Sequence, residues 1–210
     1  MRLALTLLLF ACTGCAIARP TTEIVETPSN NWRVIATEND RVRLRDWRDA
    51  FVSALAAARA SGHANEIARE GALLEPDAAR GGPIPNGLYR CRVIKLGAKS
   101  PGMLDFVSYP AFNCSVQQRG KLQSFAKLGG SQRQAGIIFP NDQLRQVFLG
   151  TLMLADESRA MQYGVDEDRD VAGFVERIGD NRWRLVMPKP QFESIVDVME
   201  LVPASSRGGK

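Results

Sequence analysis

Three alternating aspartates are the first residues whose types and spacing suggest chemistry. Asp166, Asp168 and Asp170 are spaced like the opening ligands of a calcium-binding loop. Such a loop also needs a glycine at its sharp turn and a bidentate glutamate at its end, but Val171 and Arg177 occupy those positions. The segment is therefore interpreted as a solvated acidic turn rather than a cation site.

The histidine content argues against a zinc site and against a histidine-dependent catalytic site. His63 is the only histidine in the chain, and no cysteine or second histidine stands near it at the spacing of zinc ligands. Without a nucleophile elbow, only carboxylates remain as general bases for a hydrolase. Phosphate-loop and dinucleotide-binding motifs are also missing from the sequence. We predict no catalytic, metal or cofactor-binding residue and no cofactor.

A short polar run after two glycines is the candidate ligand-binding site. Ser131, Gln132 and Arg133 follow Gly129 and Gly130. At the mouth of a barrel they would present a hydroxyl, an amide and a guanidinium to a polar or anionic ligand. Arg133 would hold the charged head of the ligand, with the other two side chains orienting it. A tight turn that leads into a strand is the simpler interpretation of the same residues.

The cysteines predict one disulfide. If the first two strands form a hairpin centred on residues 101–103, residues whose numbers sum to 205 face each other, and Cys91 would lie opposite Cys114. Alternation places Tyr89 and Val93 on the same buried face. A disulfide that closes the loop between Cys91 and Cys114 should stabilise the fold by about 3 kcal/mol in the chain-entropy model. We interpret the pair as a structural staple, with a redox-active pair as the alternative.

The N-terminus predicts an export signal over residues 1–18. Arg2 precedes an apolar run from Leu3 to Ala11, and small residues follow from Thr13 to Ala18. The run is far shorter than the roughly 20 residues that span a bilayer, so it predicts a signal peptide and not a transmembrane anchor.

Three cleavage positions compete in this signal. A cut before Cys15 would attach a lipid to that cysteine, and a cut after Ala18 would release a soluble protein. A cut before Cys12 would leave Cys15 as an unpaired thiol in an oxidising compartment. The first expectation is a periplasmic protein lipid-anchored to the outer membrane through Cys15, with no other membrane attachment.

Composition is that of an ordinary globular domain. Charged residues make up 24% of the chain and hydrophobic residues 45%, and the net charge of +4 is small for 210 residues. No nucleic-acid recognition motif or aromatic stacking array accompanies the basic residues. Nucleic acid is therefore not an expected partner.

The N-terminal part of the mature chain is predicted to be helical. Residues 19–31 contain two prolines and lack apolar periodicity, which is typical of a flexible tether. Within residues 32–80, Thr37 begins a capping-box pattern, and a helix of about 20 residues should end near Ser61-Gly62. A second helix is predicted over Ala64–Glu70. The buried face of the first helix should comprise Leu44, Trp47, Phe51, Ala54, Leu55 and Ala58.

Residues 88–203 change to an alternating pattern that predicts a β-domain, with a disordered tail over 204–210. Eight successive strands can close into an antiparallel up-and-down, calycin-like barrel with the amphipathic helix packed on it; a two-sheet β-sandwich is the alternative. The predicted strands are Leu88–Leu96, Tyr109–Gln117, Leu122–Leu128, Gln132–Phe139, Arg145–Leu154, Val171–Ile178, Trp183–Met187 and Ser194–Val202.

Several short motifs resemble one bacterial family. They are Tyr89-Arg90-Cys91-Arg92-Val93-Ile94-Lys95-Leu96-Gly97, Gly130-Ser131-Gln132-Arg133, Val147-Phe148-Leu149-Gly150, Tyr163-Gly164 with Arg169-Asp170, and Arg177-Ile178-Gly179 before Arg182-Trp183-Arg184-Leu185. Over about Trp32 to Pro203 the chain resembles domain of unknown function 4893. The resemblance implies an exported protein of this layout and assigns no catalytic residue.

The sequence is compatible with three functions. The first is a non-enzymatic envelope protein whose barrel binds a small apolar or amphiphilic ligand. The second is a periplasmic protein-binding module or inhibitor that uses rim loops such as residues 158–169 and has an envelope protein as its partner. The third is a hydrolase. A barrel interior filled by large side chains would favour the second over the first.

Overall fold

The computed structural model describes residues 29–204, and residues 1–28 and 205–210 lie outside its description. The predicted signal peptide with Cys15, almost all of the predicted tether and the tail beyond Ala204 therefore fall outside the described residues and stay predictions.

Helices occupy the first part of the described chain, largely as expected. Thr37 Oγ1 accepts a hydrogen bond from Asp40 N at 3.2 Å and caps the second helix. The predicted long helix is interrupted at Asp46, whose φ of −91° and ψ of 10° are not helical. Gly62, with a φ of 97°, ends the regular helix near the predicted position. The helices are α1 (Trp32–Ile35), α2 (Glu38–Arg45), α3 (Trp47–Ala58), a π-helical turn (Arg59–His63), α4 (Ala64–Glu70) and a 3-10 turn (Gly71–Leu73).

Nine strands follow in the described residues. All eight predicted strands are present with end shifts of a few residues, and a short strand, β2, was not predicted. The strands are β1 (Gly87–Ala98), β2 (Phe106–Ser108), β3 (Phe112–Arg119), β4 (Leu122–Lys127), β5 (Gln132–Pro140), β6 (Arg145–Leu154), β7 (Asp170–Gly179), β8 (Arg182–Pro188) and β9 (Ser194–Pro203).

The strands close into a barrel. From β3 to β9 each strand pairs antiparallel with the next, and β9 pairs back to β1 over Tyr89 to Ala98. This closing ladder confirms the eight-stranded antiparallel barrel and rules out the two-sheet sandwich. The extra strand β2 lies alongside β1 at Ile94–Leu96, outside the closed ring.

The predicted disulfide is present, but the predicted strand register is wrong. Cys91 lies opposite Phe112 and Cys114 opposite Tyr89, a slip of two residues from the expected pairing. The cause is the segment between the strands, which forms β2 instead of a tight turn. Because side chains alternate with a period of two, the slip leaves both cysteines on the buried face. Their Cα atoms are 5.9 Å apart and the sulfurs are bonded.

The barrel interior is largely filled by apolar side chains. At the end where β1 begins, Tyr89 packs edge-on against Trp183 with ring centroids 6.3 Å apart. Phe125 and Phe148 make a similar contact at 5.6 Å. The buried interior cluster comprises Ile84, Tyr89, Cys91, Val93, Cys114, Val116, Phe125, Ile138, Phe148, Val175, Trp183, Leu185, Met187, Met199 and Leu201.

Helix α3 covers the outer face of the barrel. Its buried residues Phe51 and Leu55 pack in a cluster with side chains of β1, β8 and β9. Gly97 permits the close approach, because a Cβ there would lie 2.7 Å from Ile195 Cδ1 and 3.2 Å from the Cα of Ala54. No helix between residues 29 and 204 is long and apolar enough to cross a membrane.

Candidate functional site

A pocket of about 130 Å³ opens at one end of the barrel, which we call the mouth. The mouth is formed by the loops 99–111, 128–131, 155–169 and 189–193, at the end opposite the aromatic pairs. Polar side chains from four strands and a loop converge on the pocket, whereas the interior beneath it is apolar. These polar side chains are Lys95, Lys127, Gln132, Gln134, Glu193 and Asp197.

Lys127, at the end of β4, is a buried cation without an acidic partner among the described residues. Its Nζ donates to the carbonyl oxygens of Gly129 at 2.7 Å and Gln132 at 2.8 Å. The same atom lies 4.0 Å from the centroid of the Phe112 ring. Burial, together with the nearby charges of Arg133 and Lys95, lowers the pKa of Lys127 to about 8. An ammonium has three donors, so one remains for a ligand.

The loop after β4 is shaped to hold this ammonium. Gly130 has a φ of +84°, which an L side chain rarely adopts. A Cβ at this position would lie 2.9 Å from Lys127 Nζ and 3.1 Å from the Phe112 ring. The glycine therefore lets the loop wrap closely around the lysine head.

Lys95 forms the second charged group of the pocket and is shared by two carboxylates. Its Nζ lies 3.0 Å from Asp197 Oδ2 and 3.1 Å from Glu193 Oε2. Burial opposes the charge on Lys95, but the two carboxylates raise its pKa above the ordinary value. Asp197 also accepts a hydrogen bond from the Ser194 hydroxyl. This side of the pocket therefore holds two acids against one lysine.

Gln134 leaves an unsatisfied acceptor at the pocket. The residue is 4% exposed, and its side-chain Oε1 has no hydrogen-bond partner within the described part of the chain. An unpaired buried polar atom costs about 1–3 kcal/mol. A ligand with a donor group would remove this cost.

Aromatic side chains border the polar groups at the mouth. Tyr109 and Phe112 line the pocket, and Phe192 lines a smaller adjoining recess that shares Gln132 and Gln134 with it. Tyr109 is 38% exposed and Phe192 39% exposed. The mouth thus combines a polar floor with an apolar border.

The structure separates the three residues predicted to bind a ligand. Ser131 and Gln132 line the pocket. Arg133 lies on the outer face of β5, where its guanidinium donates to the carbonyl oxygens of Gly130 at 3.0 Å and of Ala155 and Glu157 at 2.6 Å. Its donors tie the mouth loops together, and Lys95 and Lys127 are the lysines that line the pocket.

The other residues considered for chemistry have structural surroundings. The Asp170 carboxylate accepts from Gly164 N, and Asp168 Oδ1 accepts from Gln191 Nε2. His63 stacks on Phe106 with ring centroids 5.4 Å apart. Among residues 29–204, no group of three or more His, Cys, Asp or Glu side chains is arranged to hold a metal ion.

A larger recess at the opposite end of the barrel is a weaker candidate. Its volume is about 310 Å³. The polar groups around it already have partners: Asn141 Oδ1 accepts from Trp32 Nε1, Gln146 Oε1 accepts from Ile84 N, and Asp142 Oδ1 accepts from Arg145 N. None of the described residues that line this recess has a buried unsatisfied side-chain group, so the mouth pocket is the candidate site.

Five pocket residues were not predicted from the sequence, namely Lys95, Lys127, Gln134, Glu193 and Asp197. A signal was present, because Lys95 continues the inward-facing series of Tyr89, Cys91 and Val93 on β1. A charged or amide side chain at an inward position is costly unless it is paired or bound. Extending the buried face of β1 to the end of the strand would have predicted that Lys95 lies inside the barrel.

Comparisons with known proteins identify a family only. A family model described as "Domain of unknown function (DUF4893)" matches residues 32–201, which cover the helices and nearly all of the barrel. Searches of curated proteins and of solved structures found no match to the chain.

Proposed function

We propose that this chain, which belongs to the DUF4893 family, is a non-enzymatic binding protein for a small amphiphilic ligand held in the mouth pocket. The ligand would place its polar end in the mouth pocket and its apolar part against the aromatic border. The groups that bind the polar end are Lys127 and Gln134, with Ser131 and Gln132 beside them.

One observation carries this proposal. Within residues 29–204, a buried ammonium without an acidic partner and a buried amide oxygen without a donor line the same pocket. Each group is costly to bury when its hydrogen-bonding capacity is unused. A single ligand that accepts from Lys127 and donates to Gln134 would satisfy both.

The size of the pocket limits the ligand. A cavity of about 150 Å³ holds a molecule such as benzene, and this pocket measures about 130 Å³. The aromatic pairs below leave no room for a long apolar chain in the interior. The apolar part of the ligand would therefore lie at Tyr109, Phe112 and Phe192.

Export remains part of the proposal. The Cys91–Cys114 disulfide is typical of an oxidising compartment such as the periplasm. The signal-like N-terminus supports the same location, with Cys15 as the proposed lipid-bearing residue.

A protein-binding module is the second candidate, because the barrel interior is largely filled and the mouth loops expose apolar side chains. The filled interior favours it over a ligand held deep in the barrel, and the ligand proposal is therefore confined to the mouth pocket. Leu104 is 68% exposed and Val165 66% exposed, and Leu128 and Met161 are also exposed. Apolar rims of this kind occur at protein–protein contact sites. In this alternative the loops would bind an envelope protein and the pocket would hold water.

Native mass spectrometry of the full chain, purified from its own envelope, separates the two candidates. The ligand proposal expects an adduct of low mass on the folded protein. Gln134→Met should lower the retained occupancy, because the loss of one hydrogen bond of about 1 kcal/mol weakens the affinity by about fivefold.

Gln117→Met is the matched control, because Gln117 is an exposed glutamine on the same barrel, away from the pocket. Occupancy should not change in this variant. A co-purifying protein in place of the adduct would favour the second candidate. If the wild-type protein retains neither a small molecule nor a protein, the ligand proposal is contradicted.

A further inference from the structure

The charges around the mouth pocket carry a more specific inference, which rests on the proposed function of the same site. The pocket has two electrically different sides. On one side, Lys127 is a cation whose protein acceptors are neutral carbonyl oxygens. On the other side, Lys95 alone faces the carboxylates of Glu193 and Asp197.

Each side has an unmet requirement. Lys127 retains one N–H donor and is positively charged when protonated, and a carboxylate is the best-matched acceptor for such a group. Lys95 can neutralise only one of its two carboxylates. Asp197 is 4% exposed and also accepts from Ser194, whereas the Glu193 side chain is 42% exposed. Glu193 Oε2 pairs with Lys95 and Oε1 accepts only a long hydrogen bond, at 3.5 Å, from Gln132 Nε2, so Glu193 is the more accessible of the two carboxylates to a cation.

Gln134 adds a neutral acceptor at the same pocket. Its Oε1 has no donor among residues 29–204, and the residue lines both the pocket and the adjoining recess. An ammonium has three donors and can satisfy more than one acceptor at once. A ligand ammonium could thus donate to Glu193 and to Gln134.

We propose that the ligand is a small zwitterionic amino acid, with its carboxylate bound by Lys127 and its ammonium bound by Glu193 and Gln134. Such a ligand adds no net charge to a pocket whose own charges, two lysines and two carboxylates, already balance. A short apolar side chain would lie against Tyr109 and Phe112. The volume of about 130 Å³ favours the smaller amino acids.

Three ligands of nearly equal size test the assignment on the unmodified protein. L-alanine has both charges, propionate lacks the ammonium, and ethylamine lacks the carboxylate. Calorimetric titration of the full-length protein should show alanine binding at least about tenfold more tightly than either of the others, since each lost charged hydrogen bond is worth about 1.5–3 kcal/mol.

Two variants assign the two ends of the ligand. Lys127→Met should weaken the binding of alanine and propionate by about tenfold or more and leave ethylamine unchanged. Glu193→Gln should weaken alanine and ethylamine and leave propionate unchanged. Lys121→Met is the control, because Lys121 is an exposed lysine in the turn between β3 and β4, at the other end of the barrel.

The outcomes separate this inference from the proposed function. If propionate or ethylamine binds as tightly as alanine, the zwitterion assignment is wrong while ligand binding at the mouth stands. If none of the three binds but the envelope-purified protein retains another small molecule, the assignment is again wrong. If nothing binds and nothing is retained, both fail. The ligand series on the wild-type protein distinguishes these outcomes even if a variant does not fold.

Discussion

Arg184 and Glu176 form an ion pair on the outer face of the barrel in which both side chains are completely buried, with a 2.6 Å separation between nitrogen and oxygen. The remaining donors of Arg184 reach carbonyl oxygens of the segment that follows α4, at 2.9 Å for Leu73 and 2.7 Å for Glu75. Glu176 also accepts from Arg145. One guanidinium therefore attaches the end of the helical segment to the barrel, so the helices are part of the fold.

We predict that Arg184→Met lowers the free energy of unfolding by about 3–5 kcal/mol, because it leaves buried acceptors unpaired. Urea denaturation measures this change. Arg182→Met, two residues earlier on β8, is the control. Arg182 pairs with Glu200 and is one-third exposed, so its loss should cost less than about 1 kcal/mol. Equal effects of the two substitutions would contradict the anchoring role.

The disulfide should act as a staple. We predict that Cys91→Ala together with Cys114→Ala lowers the free energy of unfolding by about 3 kcal/mol without changing the far-ultraviolet circular dichroism. The reason is that the bond closes a loop with a sequence separation of 23 residues inside an otherwise apolar core. Thiol labelling of denatured, unreduced protein is the companion measurement. Alkylation of both cysteines in that sample would show that the bond does not form.

Asp170 should make stability depend on pH. Burial, partly offset by the hydrogen bond from Gly164 N, raises the pKa of Asp170 to about 6, and Asp40, Arg43 and Asp166 are the charged groups nearby. The unfolded pKa is about 3.9, so the folded state binds this proton more tightly. Protonation of Asp170 therefore contributes fully to the free energy of unfolding below about pH 4, and this contribution is lost as pH rises through about 6.

The measurement is the free energy of unfolding at intervals from pH 4 to pH 7 for wild type and Asp170→Asn. The asparagine keeps an acceptor for Gly164 N but does not titrate, so the fall of about 1–3 kcal/mol in wild type should be much smaller in the variant. Asp168→Asn, at an exposed carboxyl two residues away, should keep the wild-type profile. A profile that Asp170→Asn leaves unchanged would contradict the assignment.

Ligand binding should weaken in mild alkali. A carboxylate binds the protonated form of Lys127, whose pKa lies at about 8. The other charged groups around this ammonium are Lys95, Arg133, Glu193 and Asp197. We predict that the affinity for alanine falls by severalfold between pH 7 and pH 9 in calorimetric titrations. A constant affinity over this range would show that Lys127 does not contact the ligand.

Alternation along the strands was enough to predict the barrel, but not the direction of every side chain. Strand β5 is an example in which alternation does not show which side chains face the interior. Ile138 faces the interior, whereas Ile137 and Phe139 pack outward in the cluster that includes residues of α1 and α2. Because both faces are apolar, alternation does not distinguish them, and it does not reveal that Arg133 lies on the outer face. The outer face is buried because helices cover it, which is a tertiary effect.

The register of the first strands was unpredictable for a different reason. A tight turn fixes how two strands align, but residues 99–111 contain β2, whose three residues are too few for a periodic signal. The pocket depends on the same long-range arrangement. Lys127, Gln134 and Glu193 belong to separate strands and loops, and only barrel closure brings them to one cavity.

The most direct test of the account is a crystal structure of the full-length protein soaked in L-alanine. We predict ligand density in the mouth pocket, with a carboxylate oxygen about 2.7–2.9 Å from Lys127 Nζ. Gln134 Oε1 should then have a donor from the ligand at ordinary hydrogen-bond distance. An empty mouth pocket at a saturating soak would contradict the assignment of the ligand as a small amino acid, and density confined to the recess at the opposite end of the barrel would contradict the mouth as the binding site.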